Sequence, residues 1–187
     1  MSATDIIALL ALIVATYGAI LSTYTAINEF FRLKLTYLNK HYFTLTQSNH
    51  YLNECGEYID TFEKDSYSLY VLVRLVNKSK NPTTINEIVL NDKYIIDSAS
   101  DICSFVPISF KFQENCIVSC DTKRLDFDAI KPLLELKPLS TFEGYLIFNN
   151  IKEIPSTFKI KVNAIQKSKT FNLDFKITND HRNNIAH

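Results

Sequence analysis

From Ile6 to Ile27 the chain runs 22 residues without a charged side chain. At roughly 1.5 Å per residue such a helix rises about 33 Å, enough to cross a hydrocarbon core about 30 Å thick once. Beyond Arg32 the spacing of apolar positions changes to two. Near the end, Phe158, Ile160, Val162 and Ala164 alternate with Lys159, Lys161 and Asn163. After the polar turn Gln166–Lys169, Phe171, Leu173, Phe175 and Ile177 alternate with Asn172, Asp174 and Lys176. That pattern predicts a β-hairpin with one buried and one wet face. Ser68–Val76 is apolar on both faces, as a covered central strand would be. Asn77–Pro82 is a turn cluster, and Thr84–Leu90 is expected to be the partner strand.

Further strands are expected through Ile108, Phe110 and Phe112 and over Gly144–Phe148, with shorter ones at Lys34–Asn39, Tyr42–Thr46, Lys93–Ile96, Cys116–Cys120 and Leu133–Leu136. Short strands with a turn signal about every ten residues predict an all-β domain, an antiparallel β-sandwich or alternatively a small barrel. Its expected core includes Val71, Val73, Phe110, Leu146, Ile160, Val162, Leu173 and Phe175. His50–Lys64 is polar without a period and reads as a long loop, and Asn179–His187 as a flexible tail. The chain thus divides into a transmembrane helix with its flanks (1–31), a β-domain (32–178) and the tail (179–187).

The leading MSATD has no Lys or Arg, and no Ala-x-Ala site closes the apolar run, so a retained anchor is expected rather than a cleaved signal peptide. Ser2 and Asp5 have the spacing of a capping box. Basic residues follow the helix (Arg32, Lys34, Lys40) and none precedes it. The positive-inside rule then places the N-terminus outside and the β-domain in the cytoplasm, at the inner membrane. Within the helix, Ala8, Ala11, Ala15, Gly18, Ser22 and Thr25 recur at alternating spacings of three and four. All are small, while Leu10, Ile13, Val14, Tyr17, Leu21 and Tyr24 form a bulky opposite face. A small-residue seam lets helix backbones approach closely, and its 3.5-residue period suits a left-handed pair or bundle.

Twenty basic residues balance twenty acidic ones, which gives no sign of a nucleic-acid partner. Three glycines cannot build a phosphate loop. Cys116 and Cys120 on one strand would lie about 13 Å apart, too far for a disulfide. A Cys55–Cys103 pair stays open beside the expectation of four reduced, mostly buried thiols in a reducing compartment. Neither the four histidines nor the acidic run Glu54, Glu57, Asp60, Glu63 and Asp65 has metal-ligand spacing. No nucleophile has a base at recognisable spacing. No enzymatic activity, cofactor or metal is expected.

The stretches LVRLVNKSKNPTTINEIVL (Leu72–Leu90) and LELKPLSTFEGYLIF (Leu134–Phe148) resemble strand–turn–strand elements of immunoglobulin-like and fibronectin-III-like bacterial domains. The whole chain resembles bacterial single-pass membrane proteins that carry such a sandwich. The resemblance implies an immunoglobulin-like fold and carries over no functional residue. The core Trp and paired cysteines of true immunoglobulin domains have no counterpart, since the chain has no Trp.

The function expected from these features is a membrane-anchored interaction module. The helix would contact the bilayer and either a second copy of the chain or another membrane protein. The β-domain would bind a protein or small ligand through the segment carrying Tyr51, Glu54, Glu57, Tyr58 and Phe62. The alternative is a membrane effector of a bacterial anti-phage system, in which the β-domain senses a ligand or partner and clustered helices disrupt the bilayer.

Overall fold

In a computed structural model the described residues are 3–29, 32–52, 55, 58–97, 105–113, 116–153, 155–165, 167–175 and 185–186. The apolar run forms one helix, α1 (Ala3–Glu29), and only residues 30–32 separate it from the first strand. The strands are β1 (Leu33–Leu52), β2 (Tyr58–Asn77), β3 (Thr83–Leu90), β4 (Tyr94–Ile95), β5 (Phe105–Gln113), β6 (Cys116–Arg124), β7 (Leu134–Leu136), β8 (Thr141–Ile151), β9 (Phe158–Ala164), β10 (Ser168–Leu173) and β11 (Ile185–Ala186). They form three sheets, ordered β1-β2-β8, β10-β9-β3-β4 with β7 also on β3, and β11-β5-β6. The strand pairs are antiparallel, except β11 with β5.

The first two sheets face each other as a β-sandwich. Leu69, Val71, Val73 and Leu75 of β2 point inward with Leu33, Leu35, Leu146 and Phe148, and meet Ile85, Ile88, Leu90, Ile160 and Val162 of the second sheet. The opposite face of β2 and β8 is covered as well. Tyr70, Leu72, Tyr145 and Ile147 pack with Val106 of β5 and with Leu125. Two covered faces explain why Leu69–Val76 shows no alternation, because a strand buried on both sides has no wet face to mark with polar residues. Arg74 is the exposed exception, and its Nε donates to Glu143 Oε1 at 2.6 Å. Of the expected core, Val71, Val73, Leu146, Ile160, Val162 and Leu173 are buried. Phe175 is partly buried against that core. The Phe110 side chain lies outside the described residues.

Three expectations are corrected. Thr84–Leu90 is a strand, but it does not pair with Ser68–Val76; β3 pairs with β9, β7 and β4 in the opposite sheet. The turn before it is held by Asn77, which is buried. Its Nδ2 donates to the carbonyls of Asn81 (2.8 Å), Leu136 (3.2 Å) and Lys137 (3.1 Å), and its Oδ1 accepts from Ser79 N and Oγ at 3.0 and 2.8 Å. This network steers the chain across the sandwich instead of back along the same sheet. The short strands expected at Lys34–Asn39 and Tyr42–Thr46 are one strand. Asn39 adopts a left-handed conformation (φ 54°) at a register shift between Tyr37 and His41, so the polar break is a bulge inside a continuous strand. The segment His50–Lys64 is not a loop: β1 and β2 stay paired out to Leu52 and Tyr58. The hairpin expected at Phe158–Ala164 forms, with Ser168 opposite Asn163 and Leu173 opposite Phe158. The tail holds a two-residue strand, β11, beside Phe110 and Lys111.

Gly144 marks a close crossing. A Cβ there would lie 2.8 Å from the Asp128 carbonyl oxygen and 2.8 Å from an Ile130 side-chain atom. Residues 128–130 run against β8 at this point, with Tyr145 N donating to Asp128 O (3.0 Å) and Ile130 N to Tyr145 O (2.8 Å).

Candidate functional site

Two features stand out from the closed sandwich: an uncovered helix at one end and a long ribbon at the other. Residues Ala3–Ala26 of α1 are long and apolar enough to cross a membrane, with none of the span buried. A core helix of a soluble domain would be mostly covered by its own protein. Ala8, Ala11, Ala15, Gly18, Ser22 and Thr25 are all exposed and fall within an arc of about 100° on an α-helix. A Cβ on Gly18 would meet nothing within 4 Å, so the whole seam is open to a second helix. Thr16, Thr23 and Thr25 donate their hydroxyls to the carbonyls of Leu12, Ala19 and Leu21 at 2.6, 2.8 and 2.6 Å. These bonds satisfy the donors within the helix, which suits an apolar surrounding. At Thr25 the hydroxyl keeps acceptor capacity for a neighbour but not an unused proton.

The ribbon is the outer part of β1 and β2. β2 pairs with β8 only up to Tyr67, opposite Ile151, while it continues with β1 to Tyr58. Nine further residues at about 3.3 Å each carry the two strands roughly 30 Å past the end of β8. Tyr51 sits opposite Ile59, Tyr58 opposite Leu52, and Phe62 opposite Gln47. Phe62 is half-buried. Glu54 and Glu57 lie outside the described residues. Cys55 at the turn is exposed, and the side chains of the other three cysteines lie outside the described residues. Cys116 and Cys120 both lie on β6 as expected, and Cys103 lies outside the described residues. The sequence of the ribbon is polar and has no period, so periodicity gave no sign of paired strands here.

At the ribbon's base lies a polar network that sequence reading missed. Ser68 Oγ donates to Asn149 Oδ1 at 2.6 Å and to Thr46 Oγ1 at 3.1 Å, Ser66 Oγ reaches Thr46 Oγ1 at 3.3 Å, and Asn149 Nδ2 bonds the Asp97 carboxylate. The signal was present as small polar residues at alternate positions (Thr46 and Thr44; Ser66 and Ser68), which a period of two places on one face of each strand.

A second cluster closes the outer layer. Lys40, beside the β1 bulge, pairs with Asp126. The hydrogen bond to Asp126 raises the Lys40 pKa, and the same bond holds the Asp126 carboxyl below its usual range. Tyr145 is fully buried, its ring 6.2 Å from that of Tyr42, and its hydroxyl lacks a hydrogen-bond partner. Burial pushes its pKa up to about 12. The Lys40–Asp126 pair joins β1 to the segment after β6.

Among the described residues no three His, Cys, Asp or Glu gather closely enough to hold a metal ion. An open groove of about 530 Å³ lies at the outer ends of β9 and β10, lined by Phe158, Lys159, Asn172, Asp174 and Phe175 among others. No protein-family model matches the chain, and no curated protein matches it either.

Proposed function

We propose that this protein is a single-pass anchor presenting an immunoglobulin-like β-sandwich and its ribbon as an interaction module on the cytoplasmic side of a membrane. The observation that carries the reading is the pairing of opposites within one chain. An apolar helix with nothing covering it joins, through three residues, a sandwich that buries its own core completely. Such a helix requires an apolar surrounding that the described residues of the chain do not supply. The ribbon is the natural contact element because β1 and β2 each extend there with one edge unpaired by any described strand, and strand edges bind extended segments through main-chain hydrogen bonds. The test is site-specific photocross-linking in cells from Tyr51 and Tyr58. Defined cross-linked species that vanish when residues 48–64 are replaced by a tight turn support the module; a probe that cross-links only lipid or nothing removes the ribbon's role.

The seam favours a second step, association of α1 with another α1. An in-membrane dimerisation reporter carrying residues 1–32 is expected to lose signal with Gly18→Leu and keep it with Ile13→Leu. Contacts of this kind contribute on the order of 1–2 kcal/mol each, so the effect is partial. If overexpression also arrests growth and admits dye, and Gly18→Leu prevents both, the effector reading replaces the simple anchor.

A further inference from the structure

Four segments meet at the end of the sandwich where the chain leaves α1. Lys78 N donates to Arg32 O at 2.8 Å and Leu139 N to Ser79 O at 3.1 Å. Ile165 N donates to Thr84 O at 3.1 Å, and Lys169 Nζ donates to Leu33 O at 2.8 Å. These bonds join the start of β1, the β2–β3 turn, the β7–β8 turn and the β9–β10 turn into one rim. Residues 32–34, 77–83, 137–141, 164–165 and 167–169 of this rim include seven Lys or Arg and no Asp or Glu. Arg32, Lys34, Lys78, Lys80, Lys137 and Lys167 are exposed. The neighbouring carboxylates are Glu143, held by Arg74, Glu87, bonded to Asn163 Nδ2, and Glu135, one step along β7 opposite Thr84. Two of the three most exposed large apolar side chains of the sandwich also lie here, Leu139 at 72 % and Ile165 at 67 %.

We infer that this rim is a docking surface for anionic lipid headgroups, with Leu139 and Ile165 seated at the interface of the leaflet where α1 ends. The inference rests on α1 spanning the membrane. Four Cα steps from Glu29 to Leu33 reach at most about 14 Å, so the rim cannot leave the neighbourhood of the bilayer surface. Attraction between a basic surface and acidic lipid acts within about one Debye length, 8–10 Å near physiological salt, and the tether holds the rim at that scale. The described parts of β1 and β2 run away from this rim, out to Leu52 and Tyr58, and Asp60 and Asp65 lie on that outer part of β2. Docking here would stand the ribbon away from an acidic surface rather than along it.

The chain contains no Trp, so a single introduced Trp reports its own depth. The full chain carrying Ile165→Trp is reconstituted in nanodiscs of phosphatidylcholine, with or without phosphatidylglycerol, and quenched with brominated lipid. Ile95→Trp, 59 % exposed on β4 at the other end of β3, is the control. The expected result is a blue-shifted, quenched Ile165→Trp only with phosphatidylglycerol, lost at high salt and in the Lys78→Glu, Lys80→Glu, Lys137→Glu background, while Ile95→Trp stays unquenched. Carbonate washing of the same chain in membranes separates the two ideas. Resistance to carbonate with no quenching at residue 165 overturns the rim and leaves the span standing. Quenching that is equal in both lipids and survives the charge reversals overturns anionic recognition. Release by carbonate overturns the span and this inference with it.

Discussion

Two apolar runs in this chain meet opposite fates. The run Ile6–Ile27 in α1 is left uncovered by the described residues, with Ile7, Leu12, Val14 and Tyr17 each more than 60 % exposed. The run Leu69–Val76 in β2 is sealed on both faces, by the second sheet on one side and by β5 with the segment after β6 on the other. Both read as apolar runs, and they differ in length and in the one charge, Arg74, that the second admits. Eight residues of strand cover about 26 Å of a sheet that the same protein can enclose. The comparison teaches that an apolar run defines a need for cover without naming its source.

The largest expected effect uses one substitution in both runs. Leu75→Ala, at a fully buried position, is expected to destabilise the sandwich by about 2–5 kcal/mol in denaturant unfolding. Leu12→Ala, at 64 % exposure, should leave that unfolding transition unmoved. Equal losses would mean that α1 packs on the sandwich. Next, Val14→Arg places a charge near the middle of the span, at a cost of about 2.5–3.5 kcal/mol for insertion. A carbonate-washed fraction should show the variant depleted from membranes while near-UV circular dichroism of its β-domain stays native.

The remaining expectations concern what holds the covered run in place. Asn77→Ala leaves the carbonyls of Leu136 and Lys137 without their donor, and a loss of about 1–3 kcal/mol is expected. Asn77→Asp, which cannot donate to three carbonyls, should not rescue it. The smallest effect belongs to Tyr145→Phe. Its hydroxyl is buried without a partner, so removing it should leave stability unchanged or slightly higher. A loss above about 1 kcal/mol would reveal a bond, with Lys40, whose charge acts on that hydroxyl, the candidate donor.

The sequence made much of this legible where one face was wet. The Phe158–Ala164 strand and its partner were readable to within a few residues because lysines mark the exposed face. The helix was readable from charge exclusion alone. What could not be read was sheet membership. Ser68–Val76 and Thr84–Leu90 look like a hairpin, and it takes the buried amide of Asn77, bonded to residues some 60 positions away, to send the chain across the sandwich. The ribbon was hidden for the opposite reason: its polar sequence shows no period of two by which a strand is recognised. The candidate helix seam was fully visible in sequence, because only side-chain size defines it. The basic rim was not visible, since its lysines are scattered over the start of β1 and three turns that come together only in the folded domain.

Cys55, exposed at the ribbon's turn, gives the most direct test of an α1 that spans the membrane with the β-domain in the cytoplasm. A membrane-impermeant maleimide is applied to intact spheroplasts and to inside-out vesicles of a bacterial host, and labelling is mapped to the Cys55 peptide by mass spectrometry. The account predicts labelling in inside-out vesicles and none in intact spheroplasts, with the labelled chain resisting carbonate extraction. Labelling of Cys55 in intact spheroplasts would contradict it.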